Sequence, residues 1–193
     1  MAFWTNPEIS ADPRRNFRFK VISTVTTQDS FLGGQATNGC WWAKKVDQPQ
    51  PTMTESKHSF LAHDYYWPAR VKWNEVSITL VDPLDPVNAQ RAIMAAMQSV
   101  GASVPTEGNW ATVGKKQANI ALGDLQVQSI NEAGEVISEW ILKHAWVRET
   151  QFSALDYENE NLMELTLKIR YDWAEFFSAD TQTTYLGPAS PSA

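Results

Sequence analysis

The sequence predicts a mainly antiparallel β protein with one amphipathic α-helix on the flank of its sheet. Period-two alternation, typical of a strand with one buried face, recurs along the chain and is longest over residues 163–173. Apolar residues three and four positions apart occur over residues 87–100, which is the spacing of one helix face. Because helical patterns do not alternate with strand patterns, the helix is expected to cover the sheet rather than connect parallel strands.

The first half of the chain is predicted to be extended, since its segments are rich in β-branched and aromatic residues separated by glycine and proline. The expected elements are, in order, a strand at 17–25, extended chain at 40–43, one arm of a hairpin at 52–61, an aromatic run at 65–67 with a turn at 68–70, and a strand at 76–80. Pro83 and Pro86 end that strand.

The second half contains the helix and the longest strands. Gly101 is expected to end the helix. The further expected elements are a polar loop at 106–117, a strand at 120–127 with a break at Gly123, a turn at 131–134, a strand at 135–147 and the alternating strand at 163–173. Odd positions of that last strand form a dry face, and even positions form a wet face that is free for water or a partner.

Length and composition favour one domain, because 193 residues with 43% hydrophobic content supply a single core. We expect an N-terminal arm at 1–16, the domain at 17–176 and a flexible tail at 177–193. The sequence has no run of about 18 apolar residues and no signal-peptide order, which predicts a soluble, unprocessed protein. A lone Cys40 excludes an internal disulfide.

The net charge of −6 disfavours direct binding of nucleic acid. Basic doublets occur at 14–15, 44–45 and 115–116. Each is only two residues long, so we interpret them as solvated loop positions.

The sequence offers few groups for catalysis. His58, His63 and Asp64 are the best candidates for a metal or acid–base site, but their spacing matches no compact ligand pattern and favours a structural role. His144 stands alone, and Cys40 lacks a recognisable partner for nucleophilic catalysis. We therefore predict no catalytic residue, no metal, no cofactor and no enzymatic activity.

Trp41 and Trp42 are adjacent, so in a strand they point to opposite sides. We expect one in the core and the other toward a neighbouring subunit or a ligand, with the neighbour favoured. The nine tryptophans leave open a β-sandwich that binds carbohydrate through exposed rings.

A colinear set of segments resembles the tail tube proteins of contractile-tailed, myovirus-type (T4-like) bacteriophages. The strongest piece is Trp140-Ile-Leu-Lys-His-Ala-Trp-Val followed by residues 152–157 and 162–174. Residues 15–21, 42–46, 55–61, 65–71 and 73–83 resemble the family in the same order. The resemblance extends from Arg15 to Phe176.

The resemblance implies an antiparallel sandwich or half-barrel that assembles into hexameric rings with a continuous inner β-barrel. It implies rings stacked into a tube inside a contractile sheath, with sheath, baseplate and tube-terminator proteins as partners and no membrane. Genomic DNA would pass through the lumen without specific binding, in a virion tail assembled in the host bacterial cytoplasm. A baseplate tube-initiator of the same fold, a carbohydrate-binding module and a small metal hydrolase are the alternatives.

Six residues are candidates for contact with a neighbouring subunit or with the lumen: Trp41, Trp42, Glu164, Lys168, Arg170 and Asp172. Six copies at −6 would carry −36, which suits a channel along which DNA slides. Glu164 and Asp172 are the carboxylates expected to line it, although Lys168 and Arg170 share their face.

Overall fold

The computed structural model describes residues 14–23, 40, 42–83, 88–102, 104, 106, 112–158 and 160–187. Over these residues the chain forms β1 (Phe19–Ser23), β2 (Ala43–Val46), β3 (Pro51–Phe60), β4 (His63–Trp73), β5 (Val76–Val81), α1 (Ala89–Ser99), α2 (Lys115–Leu122), β6 (Leu125–Ile130), β7 (Val136–Lys143), β8 (Trp146–Phe152), β9 (Glu164–Arg170), β10 (Trp173–Ser178) and β11 (Thr183–Tyr185). The strand pairs are antiparallel, so the predicted fold class is confirmed.

Two sheets enclose the core, and a separate hairpin extends from them. The five-stranded sheet has the order β1-β6-β7-β10-β11, and the four-stranded sheet has the order β2-β5-β9-β8. Within the part of the chain that the structure describes, β3 and β4 pair only with each other, and they form what we call the hairpin arm. Their connection is a turn at Leu61 and Ala62, with Leu61 at a φ of 52°.

The core consists of the alternate residues that each sheet directs inward. In β5 and β9 every second side chain is buried, among them Ile78, Leu167 and Ile169 with no exposed surface. Val21, Leu125 and Leu142 of the five-stranded sheet belong to the same cluster. Full burial of each aliphatic side chain contributes about 1.5–3 kcal/mol, so this shared cluster holds the two sheets together.

Helix α1 confirms the predicted helix, with capping at both ends. Asn88 is the N-cap, and its side-chain oxygen accepts a 2.9 Å hydrogen bond from the backbone N–H of Arg91. Gly101 follows the last turn at a φ of +100°, and a Cβ there would lie 2.7 Å from the carbonyl oxygen of Thr112. Only glycine fits that position without strain.

Helix α2 corrects the sequence prediction, which assigned a loop to residues 106–117 and a strand to the residues after it. Ala118 and Leu122, four positions apart, are both buried, as expected for one helix face. The helix has only eight residues, so its periodicity is too short to read from the sequence. The expected break at Gly123 is the end of this helix, where Gly123 has a φ of 67°.

Two predicted long strands are each divided at one corner of the molecule. Strand β7 ends at Lys143, and β8 begins at Trp146 in the other sheet. Likewise β9 ends at Arg170, and β10 begins at Trp173 in the other sheet. Residues 163–173 are therefore not one two-faced strand. A chain that turns a corner between packed sheets keeps its apolar side inward, so the alternation in sequence continues through the turn.

The turn predicted at 68–70 lies within β4 and is wrong. Pro68 stands opposite Glu55, and the register shifts between Met53 and Glu55, which gives a β-bulge. The Thr54 hydroxyl bonds both the N–H and the carbonyl of Arg70 at 3.0 Å. A bulge accommodates a proline that lacks an N–H donor, so the chain stays extended.

The flexible tail predicted at 177–193 starts too early in the chain, because strands occupy part of that range. Strand β10 continues to Ser178, and β11 pairs with it through Phe176 and Tyr185. Residues 188–193 lie outside the described residues, as do residues 1–13 of the predicted arm. Of the first strand predicted at 17–25, residues 17–23 are described, and Phe19–Ser23 forms β1.

Candidate assembly surfaces

The hairpin arm exposes large apolar side chains to solvent along nearly its whole length. Apart from Thr54 and Trp73, every residue of its two strands is exposed. The exposed apolar residues are Met53, Phe60, Leu61, Tyr65, Tyr66, Trp67 and Val71. An isolated two-stranded hairpin is only marginally stable in water, and a contiguous apolar surface marks an interaction site. The arm is therefore the principal candidate for contact with another protein.

One face of the arm carries an aromatic row. His58 pairs with Tyr65 across the hairpin, and cross-strand partners share a face. The ring of Trp67 lies 6.1 Å from that of His58 and 6.2 Å from that of Tyr65. Trp67 is half exposed, at 51%. These three rings form what we call the aromatic strip, which is suited to docking against a complementary surface.

The candidate metal group is divided between the two faces of the arm. His58 and His63 fall on the aromatic face, whereas Asp64 pairs with Ser59 on the opposite face. There Asp64 accepts hydrogen bonds from Lys57 at 2.7 Å and Ser59 at 2.7 Å, which lower the pKa of its carboxyl group. Among the described residues, no group of three His, Cys, Asp or Glu side chains is placed to hold a metal ion.

The wet face of β9 is occupied by ion pairs rather than by free carboxylates. Glu164 accepts a 2.5 Å hydrogen bond from Lys44. Lys168 lies 2.9 Å from Glu149, and the hydrogen bond from Lys168 is the main cause of the lowered pKa of the Glu149 carboxyl group. Arg170 lies 3.4 Å from Glu75. Arg148 also pairs with Glu75, so the face alternates in sign and is not acidic.

Asp172 departs from this face and lies at the corner between the sheets. Its carboxylate accepts hydrogen bonds from Lys115 at 2.6 and 2.8 Å and pairs with His144 Nδ1 at 2.9 Å. Partial burial by itself raises the pKa of Asp172, but the hydrogen bonds from Lys115 and His144 outweigh it and lower the pKa. His144 has a φ of 55° and meets the ring of Trp173 edge-on at 4.9 Å. His144 thus has a structural role at the corner where the β7–β8 and β9–β10 connections pass from one sheet to the other.

The paired tryptophans are only half described. Trp42 is partly buried and packs against the core, as expected for one member of the pair. Trp41 lies outside the described residues. Trp73 and Trp140 also pack against the core, whereas Trp67 is exposed on the hairpin arm.

Cys40 is buried, and this burial raises the pKa of its thiol, which disfavours the reactive thiolate. None of the helices in the described part of the chain is long and apolar enough to cross a membrane.

No protein-family model matches the chain, and no curated protein sequence matches it. The fold is nevertheless shared with solved structures. A chain of an extracellular contractile injection system, the PVC sheath/tube terminator in its extended state, has a TM-score of 0.62 at 10% identity over 88% of this chain and 99% of that chain.

Two further structures have similar scores. A chain of the anti-feeding prophage cap (AFP tube terminating cap) has a TM-score of 0.60 at 14% identity over 88% of this chain and 93% of that chain. A chain of the PVC sheath-tube complex in its extended state has a TM-score of 0.58 at 11% identity over 91% and 98%. At these identities the likeness is one of fold.

Proposed function

We propose that this protein is a non-enzymatic structural subunit of a bacteriophage tail tube. The main support for this proposal is the hairpin arm, whose aromatic strip is not covered by the two sheets of the same subunit. The fold shared with chains of tube-terminator, tube-cap and sheath-tube structures supports it. A neighbouring copy is the natural partner for the arm, because a repeating tube presents every subunit with identical neighbours.

The proposed assembly is a hexameric ring with a continuous inner barrel, stacked into a tube inside a contractile sheath. Sheath, baseplate and terminator proteins are its further partners. Genomic DNA passes through the lumen during ejection, and the location is the phage tail, assembled in the bacterial cytoplasm. No cofactor takes part.

The outer face of the four-stranded sheet is the surface we propose for the lumen or for a neighbouring subunit. Glu164, Lys168 and Arg170 lie on it, each held by a partner of opposite charge. Pairing leaves few free cations to hold phosphates, so DNA slides because the face is internally neutralised. Asp172 lies at the corner instead, where it pairs with Lys115. Trp41 and Trp42 stay candidates for contact between subunits.

A terminal station along the tail is the second candidate function. Two of the similar structures are, by name, a tube terminating cap and a sheath/tube terminator. A baseplate tube-initiator of the same fold belongs to this class. A tube subunit polymerises without limit, whereas a terminal subunit stops at one or two rings.

Negative-stain electron microscopy of the purified chain distinguishes these functions. Long tubes with a central channel support the tube subunit, and isolated rings support the terminal station. A monodisperse monomer at high micromolar concentration contradicts both. Binding of glycans by such a monomer would instead establish the carbohydrate-binding module.

A further inference from the structure

The face of the hairpin arm that carries the aromatic strip also carries a cation. Thr52 and Ser56 are four positions apart in β3, so their side chains share one face of the arm. Lys72 pairs with Thr52, and Trp67 pairs with Ser56 across the hairpin. Because cross-strand partners share a face, Lys72 lies on the same side as the ring of Trp67. We call this side the strip face.

Arg70 adds a second cation at the bulge of β4. It lies opposite Thr54, a residue of the strip face whose hydroxyl bonds the backbone of Arg70. Within the described part of the chain, no ion pair joins Arg70 or Lys72 to a carboxylate. The two carboxylates of the arm, Glu55 and Asp64, fall on the opposite face, where Asp64 is already paired. The strip face is therefore apolar and positively charged, and it attracts a partner that carries negative charge.

The loop between β8 and β9 has the complementary character. Leu155 is 84% exposed, and Tyr157 is fully exposed. Asp156, Glu158 and Glu160 lie beside these two residues and are also exposed. No ion pair joins any of the three carboxylates to another described residue. We call these five residues the acidic loop, which presents an aromatic ring and three unneutralised negative charges to solvent.

The arm and the acidic loop join the four-stranded sheet at its opposite ends. Strand β5 pairs with β9 from Val76 with Ile169 to Val81 with Glu164. The arm ends at Trp73, next to Val76, whereas the acidic loop comes just before Glu164. Five residue steps of about 3.4 Å separate these two ends by about 17 Å. Both surfaces are exposed, so neither covers the other within one subunit.

We propose that the acidic loop of one copy docks on the strip face of the arm of the next copy. This contact rests on the proposed assembly of identical subunits, and it names the surface that the arm binds. The ring of Tyr157 packs against the aromatic strip, where an aromatic pair adds to the apolar area that is buried. The carboxylates of the loop meet Arg70 and Lys72, so charge and apolar surface are complementary in one contact.

The positions of the two surfaces decide which copies they join. Loop and strip face are different surfaces, so the contact is head-to-tail and repeats without closing when copies are stacked. The strands of a closed barrel tilt by about 35–45° from its axis, which brings the two ends of the sheet to the two rims of a ring. The contact therefore joins successive rings of the proposed tube and not neighbours within one ring.

Reversal of the charges tests the contact. The loop variant carries D156K, E158K and E160K, and the arm variant carries R70E and K72E. Each variant should still form rings, but the critical concentration for tubes should rise by roughly tenfold or more, because attractive exposed pairs become repulsive. Circular dichroism establishes that each variant is folded, and sedimentation with electron microscopy distinguishes rings from tubes.

Recombination of the charges provides the second part of the experiment. A chain that carries both sets should stack again, with a critical concentration within about threefold of the original. A 1:1 mixture of separately prepared rings of the two variants should also form tubes, although neither variant forms them alone. Two matched controls should leave stacking unchanged: R91E with K116E reverses two exposed cations of the helices, and D180K reverses an exposed carboxylate.

The outcomes separate this contact from its alternatives. Recovery of tubes by the combined chain supports it. A loop variant that stacks like the original chain overturns it, and a defect confined to the arm variant assigns the strip face to another partner. A folded combined chain that stacks no better than the single-set variants also overturns it. Loss of the rings themselves in a folded variant overturns the assignment to successive rings, because the contact would then lie within one ring.

Cross-linking provides a measurement that does not depend on the reversed charges. With cysteine introduced by S56C on the strip face and E158C in the acidic loop, oxidation of tubes should yield a ladder of covalently linked subunits. Neither substitution alone should give the ladder, and a cross-link within one chain, or none at all, overturns the contact. An original chain that stays monomeric removes the proposed function as well, whereas original tubes whose variants stack normally remove only this contact.

Discussion

Truncation of the aromatic strip on the hairpin arm should weaken assembly while leaving the subunit folded. Trp67 exposes 51% of its surface, and among the described residues its ring contacts are with His58 and Tyr65, both in the arm. An aromatic side chain buries about 150–250 Å², so roughly 100 Å² of Trp67 is available to a partner. At about 25 cal/mol per Å², covering that area contributes about 2.5 kcal/mol to each contact, or nearly a hundredfold.

The variant Trp67→Thr tests this magnitude, because threonine retains strand propensity and removes the ring. The critical concentration for tube formation, measured by sedimentation, should rise by one to two orders of magnitude. The free energy of unfolding of the subunit should change by less than about 1 kcal/mol, since the substitution is on the surface. Met94→Gln, which alters a half-exposed residue of α1 instead, should change neither quantity.

Two results would refute the reasoning. If Trp67→Thr lowers the unfolding free energy by several kcal/mol, the ring is part of the subunit's own core. If the tubes form at the original concentration, the arm does not carry the contact between copies, and the proposed function loses its main support.

Three further predictions concern stability and the paired faces. The Tyr171 hydroxyl is buried without a hydrogen-bond partner among the described residues, so Tyr171→Phe should stabilise the chain by about 1 kcal/mol at neutral pH. Burial also raises the pKa of Tyr171 to about 12. A folded-state pKa above the ordinary value gives stability that is present below pH 10 and lost as the pH rises toward 12. The loss for Tyr171 is up to about 2 kcal/mol. In denaturant titrations from pH 10 to 12, Tyr171→Phe should therefore lose less stability than the original chain. The lowered pKa of Asp172 gives stability that is present above its ordinary pKa near 4 and lost as the pH falls below it. Asp172→Asn should therefore flatten the decline of the melting temperature in acid. An unchanged acid profile would contradict the role of the pairs that Asp172 makes with Lys115 and His144. Arg170→Glu should leave the subunit folded, because Arg170 is exposed, but should reduce ring formation on size exclusion; a normal ring yield would show that this face contacts no neighbour.

The sequence by itself determined the fold class and several of its elements. The alternation of β5 and the capped helix α1 were readable because local periodicity and capping chemistry act within a few residues of chain. The prediction of no catalytic or metal site also came from residue types and their spacing along the chain. The spacing did not predict that His58 and Asp64 lie on opposite faces of the hairpin arm, because only the register of the two strands decides that.

Only the tertiary structure decided where the long strands turn and which charges meet. Residues 163–173 alternate without interruption, yet the chain passes from one sheet to the other between Arg170 and Trp173, because burial on the inner side continues around the corner. Asp172 is thereby removed from the wet face of β9 and joined to Lys115, 57 residues earlier. The sequence alone does not reveal this pair, since electrostatic attraction depends on distance in space and not along the chain.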